Sequence, residues 1–413
     1  MKNAKPSSSG PEVRPLQGKR AAVLLYSYYP SDSRPRREAE SLVAAGYEVD
    51  LICLQESESE PKRELINGVN VKRLPLSKRR ESKLAYIRQY LSFLMACAAW
   101  LAFWSAKKRY RIVHVHNMPD FLVFGAVVPK MTGAKVVLDL HDPMPELMMS
   151  IYDLPEHHRY VTWLKSLEKW SIAFADLVLT PNIAFRDLFI SRGCPAEKIG
   201  IVMNSPQMEI FDPAKYAASG QDVSKGERPF RLMYHGLIAE RHGLDTAIEA
   251  LAQIRSQIPS LEFHIYGGRT PYLEKIEQMV EHLHLRDCVD YCGFKPQSII
   301  AEAIADADLG VIPNRRNPFT EINMPTRIFE YLAMGKLVVA PNTRGIRDYF
   351  DAQSLLLFEP GNSSDLAKKI LWVFRNRDRA ADLAERGRRV YQEHLWIKED
   401  GRLTQLMEKL AAA

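Results

Sequence analysis

From residue 20 onward, short runs of β-branched and aliphatic residues alternate with stretches whose apolar positions recur every three to four residues, and this alternation sets what the chain can fold into. AAVLLYSY (21–28), EVDLICL, VNVKRL, RIVHVHN, AKVVLDL and DLVLT read as strands, with helical patterns between them such as Arg37 to Ala45 and Val161 to Ala173. Nearly continuous apolar strands separated by helices specify a parallel sheet covered on both faces. A second series starts at Phe230, with RLMYHG, LEFHIYGG, VDYCG, DLGVIP, KLVVAP and SLLLF spaced by helices such as Leu244 to Arg255. Two doubly wound α/β domains are therefore expected, and 413 residues are enough to bury two cores. The boundary falls where MNSPQMEIFDP and AASGQDVSKGERP break every period and supply Pro, Gly, Ser and charge. The domains are accordingly read as 20–203 and 229–395, with a linker over 204–228 and a flexible tail over 1–19. Ligands of open parallel sheets bind beyond the carboxyl ends of the strands, so two such domains face each other across a cleft suited to group transfer.

Charge is distributed unevenly. Between Lys62 and Arg111 there are 13 Lys or Arg against two acids, a local +11 in a chain of net charge +6, which leaves the remainder net acidic. Inside that block lies LSFLMACAAWLAFWSA (91–106), sixteen uncharged residues bracketed by Lys78-Arg79-Arg80 and Lys107-Lys108-Arg109. As a helix it reaches about 24 Å against a hydrocarbon core of about 30 Å, too short for a comfortable span. It reads either as a core helix with solvated basic ends or as a helix lying on an anionic membrane surface through 78–111, with Trp100, Phe103 and Trp104 at the boundary. Nucleic-acid binding is disfavoured, because the cations surround an apolar helix and do not interleave aromatics along a groove. The five cysteines are scattered, and Cys288 and Cys292 lack the partners of a zinc site. With no signal-like apolar stretch in the first 19 residues, the chain reads as cytoplasmic with reduced thiols, peripheral on the inner face of the membrane.

Two segments carry the expected chemistry. In FTEINMPTRIFEYLAMGKLVVAPNTRGIRDYF (319–350), Pro325 suits a first helical turn beside a phosphate, Arg327 adds a fixed cation, and Glu330 can accept hydrogen bonds from vicinal ribose hydroxyls. In YHGLIAERHGLDTAIEAL (234–251), Gly236 follows the first strand of the second domain, Arg241 projects from the loop and Gly243 opens a helix.

Together these segments resemble the sugar-nucleotide half of retaining glycosyltransferase family 4 (glycosyl transferases group 1), with the GT-B fold of two Rossmann-like domains. DSRPRREAESLVAAGYEVDLICL, VHVHNMPDFLVFGA and AKVVLDLHDPMPE are similar to the family's first domain, and the Trp396 to Leu410 tail is similar to its C-terminal helix, which assigns 396–413 to the first domain. The resemblance implies that Glu330 holds the donor ribose, that Arg241 and Arg327, with the helix end at Pro325, bind the diphosphate, and that Gly236, Gly267 and Gly268 give the nucleotide backbone-level access. Phe294 and Lys295 fall where the family holds the base. His141 matches a histidine facing the transferred sugar, with Asp142 beside it. The co-substrate would be a nucleotide-diphosphate-sugar, with no metal and no other cofactor, and the acceptor a lipid-linked or cell-envelope glycan. The family's first glutamate would fall at position 322, which is Ile322 here; either Glu321 or a backbone group takes its place, or the acid is dispensed with. Leu237 and His242 replace two expected cations, and Arg34, Arg36 and Arg37 stand where a Gly-Gly turn is usual, read either as holders of an acceptor phosphate or as a solvated helix start. A sugar-nucleotide 2-epimerase of the same fold and a non-catalytic sugar-nucleotide-binding scaffold are the alternatives.

Overall fold

The computed structural model describes residues 19–76, 83–216 and 228–412. The expected tail through residue 18, the Lys78–Arg80 triplet and residues 217–227 of the expected linker lie outside the described residues.

The apolar runs pair into two sheets. The first contains β1 (Arg20–Tyr28), β2 (Glu48–Leu54), β3 (Arg63–Ile66), β4 (Val69–Leu74), β5 (Ile112–His116), β6 (Lys135–Asp139), β7 (Leu177–Thr180) and β8 (Ile199–Ile201) in the order 3-4-2-1-5-6-7-8. Its pairings are parallel except β3 with β4. The second contains β9 (Phe230–His235), β10 (Leu261–Tyr266), β11 (Val289–Gly293), β12 (Leu309–Val311), β13 (Leu337–Pro341) and β14 (Leu356–Phe358), ordered 11-10-9-12-13-14 and wholly parallel. Strand order reverses between β1 and β5 and again between β9 and β12, and a crevice opens at the carboxyl ends at each such point. Strands β3 and β8 were not among the expected ones. Residues 63–66 are exposed on three of four positions, so β3 shows no buried run to read, and β8 has only three residues.

Each sheet is covered on both faces. Helices Ser33–Ala44 and Trp396–Ala412 pack together over one face of the first sheet, where Leu42, Leu403 and Met407 share a core with Val23 and Val49. Helices Lys83–Ser105, Met144–Tyr152, Arg159–Phe174 and Ile183–Ser191 cover the other face through Phe93, Leu101, Leu147, Ile172 and Phe185. The expected Arg37–Ala45 helix begins at Ser33 because Pro35 fits a first helical turn. The apolar 91–106 stretch belongs to a longer helix, Lys83–Ser105, and no described helix is long and apolar enough to cross a membrane.

The two domains meet along more than the hinge. Phe319, on a loop of the second domain, inserts into the core of the first and lies 6.1 Å from the Phe185 ring, with Ile322 packed beside it. Ser150 Oγ donates to Asn317 Oδ1 (2.6 Å) and accepts from the Phe319 N–H (3.1 Å), while the Tyr349 hydroxyl accepts from the Ile183 N–H at 3.0 Å. Glu399 on the last helix is fully buried and accepts from the Met203 N–H at 3.0 Å, which ties that helix to the crossing between domains.

Candidate functional site

The strand ends at the two reversal points face one cleft. A cavity of about 240 Å³ lies there, with Arg34, His141 and Asp142 on its first-domain wall and Asn204, Met324 and Thr326 opposite. A larger opening of about 730 Å³ continues between Ser150 and Asp153 of the first domain and Arg241, Tyr272 and Arg315 of the second.

His141 sits two residues beyond Asp139, at the end of β6. Its backbone is held by one side chain: the His141 N–H donates to Asn117 Oδ1 at 2.8 Å, and Asn117 Nδ2 donates to the Asp142 carbonyl at 2.9 Å. Its ring Nε2 lies 3.1 Å from both Asp139 Oδ2 and His116 Nδ1. Burial pushes the Asp142 carboxyl up, against the pull of His141, Arg34 and Arg241, so the Asp142 carboxyl and the Arg241 guanidinium face each other's fields across the domains. Arg241 is itself lowered by burial, and its Nε has no hydrogen-bond partner.

On the second-domain side Arg327 is 9% exposed and already spoken for. Its Nη1 donates to the His235 carbonyl (2.8 Å) and its Nη2 to Asn314 Oδ1 (3.0 Å) and His242 Nδ1 (2.9 Å), with the guanidinium 4.8 Å over the Tyr234 ring. His242, which stands where a lysine was expected, thus accepts a hydrogen bond from the arginine; burial and Arg327 keep it neutral. Glu330 follows one turn after Arg327, its Oε2 3.4 Å from His235 Nε2. Burial raises its carboxyl to about 7 in spite of Arg327 and Arg37, and burial with Arg327 drops His235 to about 3. Pro325 precedes the helix, which runs only from Arg327 to Ala333 after Thr326, so its dipole is that of two turns.

Close packing explains two of the glycines. A Cβ on Gly243, where φ is +64°, would lie 2.1 Å from the Pro313 carbonyl oxygen, and one on Gly267 would lie 2.4 Å from that of Gly236. Gly268 faces open space, and Gly236 approaches Arg327 Nη1. Phe294 is 80% exposed and Lys295 is exposed with it, at the rim beyond β11.

Glu321 is drawn elsewhere. It binds Arg316 Nε at 2.9 Å and accepts from the Arg344 N–H at 3.1 Å, because the neighbouring Phe319 and Ile322 are fixed in the first-domain core. It does not line the cavity that holds His141 and Asp142. The basic triplet is also engaged by protein. Arg37 donates to Ser205 and Asn204 and stacks 4.6 Å over Trp396, Arg36 donates to Gln207, and Arg34 bridges Glu38 and Asp139; of the three only Arg34 lines the cavity.

Asp139, His116, Asn117 and Asn314 were not among the expected site residues. The alternation in VHVHN and DLHD carried a signal for Asp139 and His116 and none for Asn117 or Asn314: at strand ends, residues two apart share a face.

Two parallel-sheet domains with strand ends converging on one cleft, and a last helix returning to the first domain, define the GT-B architecture of glycosyl transferases. Residues 33–205 match the model of the glycosyl transferase 4-like domain and residues 218–390 that of glycosyl transferases group 1, so the chain is built of these two glycosyl transferase domains in that order. The putative colanic acid biosynthesis glycosyltransferase WcaL of Escherichia coli (strain K12) is 26% identical over 204 residues, 49% of this chain and 48% of that protein; the match thus spans about half the length of the relative. Sucrose-phosphate synthase from Thermosynechococcus elongatus superposes with a TM-score of 0.75 at 19% identity, covering 95% of this chain and 99% of that one. Anabaena HepE, in complex with UDP-glucose, superposes with a TM-score of 0.70 at 16% identity, covering 94% and 99%. At these identities the two structures speak for the fold alone.

Proposed function

We propose that the chain is a retaining glycosyl transferase that moves a hexose-type sugar from a nucleotide-diphosphate-sugar to a lipid-linked or cell-envelope glycan. The observation that carries this reading is the approach of the two domains at their strand ends: Asp142, beside His141 on the cavity wall of the first domain, lies in the field of Arg241 of the second, and Arg327 and Glu330 share the short helix that follows the cavity residue Thr326. Glu330 in its carboxylate form accepts from the ribose hydroxyls. Arg241, whose buried Nε lacks a partner, meets the diphosphate, and Arg327 acts mainly by bracing the His235–Gly236 turn against it. Fixed cations facing the departing nucleoside diphosphate stabilise the charge that develops there, so the reading invokes no metal in the transfer step. His141, fixed through its backbone and Nε2, orients the sugar. Colanic acid biosynthesis, named for WcaL, supports the glycan class of acceptor, and UDP-glucose in the HepE complex shows that this fold accommodates a sugar nucleotide.

The acceptor side favours a membrane. Ile87, Leu91, Met95 and Phe103 form an exposed apolar stripe along the Lys83–Ser105 helix, and Val127, Met131, Trp163 and Trp170 are exposed on other helices of the same face. Lys107 and Arg109 stand exposed at its end, whereas Lys108 turns inward to Asp50 (2.9 Å) and Glu48 (3.2 Å) and is withdrawn from any lipid. An apolar face rimmed by cations is suited to the anionic cytoplasmic leaflet.

Released nucleoside diphosphate is the decisive measurement, with purified protein, a panel of UDP-, GDP-, ADP- and TDP-sugars, and membrane lipid extract present or absent. Lipid-dependent release supports the transferase. Binding without release points to the scaffold, and a donor whose sugar changes with its diphosphate bond intact points to the epimerase. Sedimentation with anionic vesicles should be lost in Met95→Glu/Phe103→Glu; equal recovery on neutral and anionic vesicles would reject the membrane reading.

A further inference from the structure

Beneath His141, four side chains converge in the interior of the first domain. His114 and His116 point to the same face of β5, Asp139 ends the adjacent β6, and Glu38 comes from the Ser33–Ala44 helix above them. All four are 0% exposed. One donor atom from each lies within 4.8 Å of the other three.

The separations are informative. Glu38 Oε2 lies 3.5 Å from His114 Nε2 and 3.8 Å from His116 Nδ1, while Asp139 Oδ2 lies 3.8 Å and 3.4 Å from the same two nitrogens. These contacts are longer than N–H···O hydrogen bonds, which fall at about 2.7–3.2 Å. Glu38 Oε2 and His114 Nε2 accordingly have no hydrogen-bond partner, although both are buried. A tetrahedron of ligands around an ion, with bonds of about 2.0–2.2 Å to imidazole and carboxylate, has edges of about 3.3–3.6 Å. The four nitrogen–oxygen separations, 3.4–3.8 Å, lie at or slightly above those edges.

The surroundings hold the carboxylates in the required orientation. Arg34 donates from Nε to Glu38 Oε1 (3.0 Å) and from Nη2 to Asp139 Oδ1 (2.8 Å), which leaves Oε2 and Oδ2 turned towards the histidines. Outer donors of this kind fix ligands around bound ions. His141 Nε2, 3.1 Å from both His116 Nδ1 and Asp139 Oδ2, closes the cluster on the cavity side as a candidate fifth donor.

We propose that Glu38, His114, His116 and Asp139 bind one divalent transition-metal ion, zinc by the nitrogen and oxygen donor set, in the buried floor of the first domain under His141. The ion would join the Ser33–Ala44 helix to β5 and β6 and so fix the floor on which His141 stands. It takes no part in the transfer step, and the inference holds whichever reaction the cleft performs.

The test uses full-length untagged protein, expressed with and without added zinc and gel-filtered after a short EDTA wash. Multi-element mass spectrometry should find on the order of one ion per chain that survives the wash. Protein refolded with Co²⁺ should show visible d–d absorption, lost in Glu38→Gln and His116→Asn variants that keep the wild-type circular dichroism. Prolonged chelation should lower the melting temperature of the wild type and leave those variants unmoved. Where a variant does not fold, the metal content and cobalt spectrum of the wild type decide alone. Background metal content in both preparations, absent cobalt bands after refolding, or an ion that leaves in the EDTA wash would overturn the proposal, the last marking surface binding.

Discussion

Replacing Glu330 with Gln should make the protein more stable and its nucleotide binding worse, and both changes follow from one carboxyl. Burial holds Glu330 at about 7 against an ordinary value of 4.5. The unfolded chain therefore ionises this group from about pH 4.5 upward, while the native state resists until about 7. A carboxyl raised on folding costs stability progressively across that window and by a constant amount above it. A shift of this size corresponds to about 3 kcal/mol. The side chain is 16% exposed to the cleft, so the figure is a ceiling. Glu330→Gln removes the cost: urea unfolding at pH 8 should show the variant more stable by up to about 3 kcal/mol, with the difference vanishing below about pH 4. Binding moves the other way. Hydrogen bonds to a charged acceptor are worth about 1.5–3 kcal/mol, so calorimetric affinity for the sugar nucleotide at pH 8 should fall roughly 10- to 100-fold. Wild-type affinity should rise as pH passes 7, because only the carboxylate accepts from both ribose hydroxyls, and the variant should be flat there. An intact sugar nucleotide keeps ligand phosphate titration out of this range. Equal stability at pH 5 and pH 8 relative to wild type, together with unchanged affinity, would refute the reasoning.

Three further substitutions test how the cleft is built. Phe319→Ala empties a first-domain socket filled from the second domain; burying a phenylalanine is worth about 3–5 kcal/mol to such a core, so solution scattering should show a wider molecule and KM for the donor should rise. Gly243→Ala places a Cβ against the Pro313 carbonyl at a left-handed backbone position, at about 1–2 kcal/mol for the backbone alone, and should lower the melting temperature with loss of donor turnover. Arg192→Met strips Glu146 and Glu168 of their shared cation; breaking a buried pair costs about 3–5 kcal/mol. Burial already holds Glu168 near 8, so that loss, read by urea unfolding, should shrink when pH falls below this value and the carboxyl takes a proton.

The strands were legible because parallel strands buried on both faces must be apolar throughout, and AAVLLYSY or KLVVAP has no other reading in that context. The same logic hides β3, whose Arg63, Glu64 and Leu65 face water. Helix limits depended on caps and turns. Asp32 at the N-cap and Pro35 in the first turn mark the start at Ser33, whereas the apolar period first becomes regular further on, so a reading by period alone begins the helix at Arg37.

The site was legible where chemistry is local and illegible where it depends on register. Arg327 and Glu330 lie three apart on one short helix, so spacing alone relates those two, whereas the pairing of Arg241 with them was an implication of the family resemblance. His116 and Asp139 are register partners across β5 and β6, a fact that requires knowing both which strands adjoin and their alignment. Each strand alone shows only that its polar residues share a face. Glu321 illustrates the opposite failure. Its position beside the expected acid suggested a role in the cleft, but the direction of its loop is set by Phe319 and Ile322 seeking apolar cover in the other domain. Burying those two side chains outweighs any local preference of the loop, and the carboxylate follows them to Arg316. A change that frees the loop, such as Phe319→Ala, is therefore the perturbation that would let Glu321 turn toward the sugar, and a donor preference altered in that variant beyond the rise in KM would show that the socket sets specificity as well as closure.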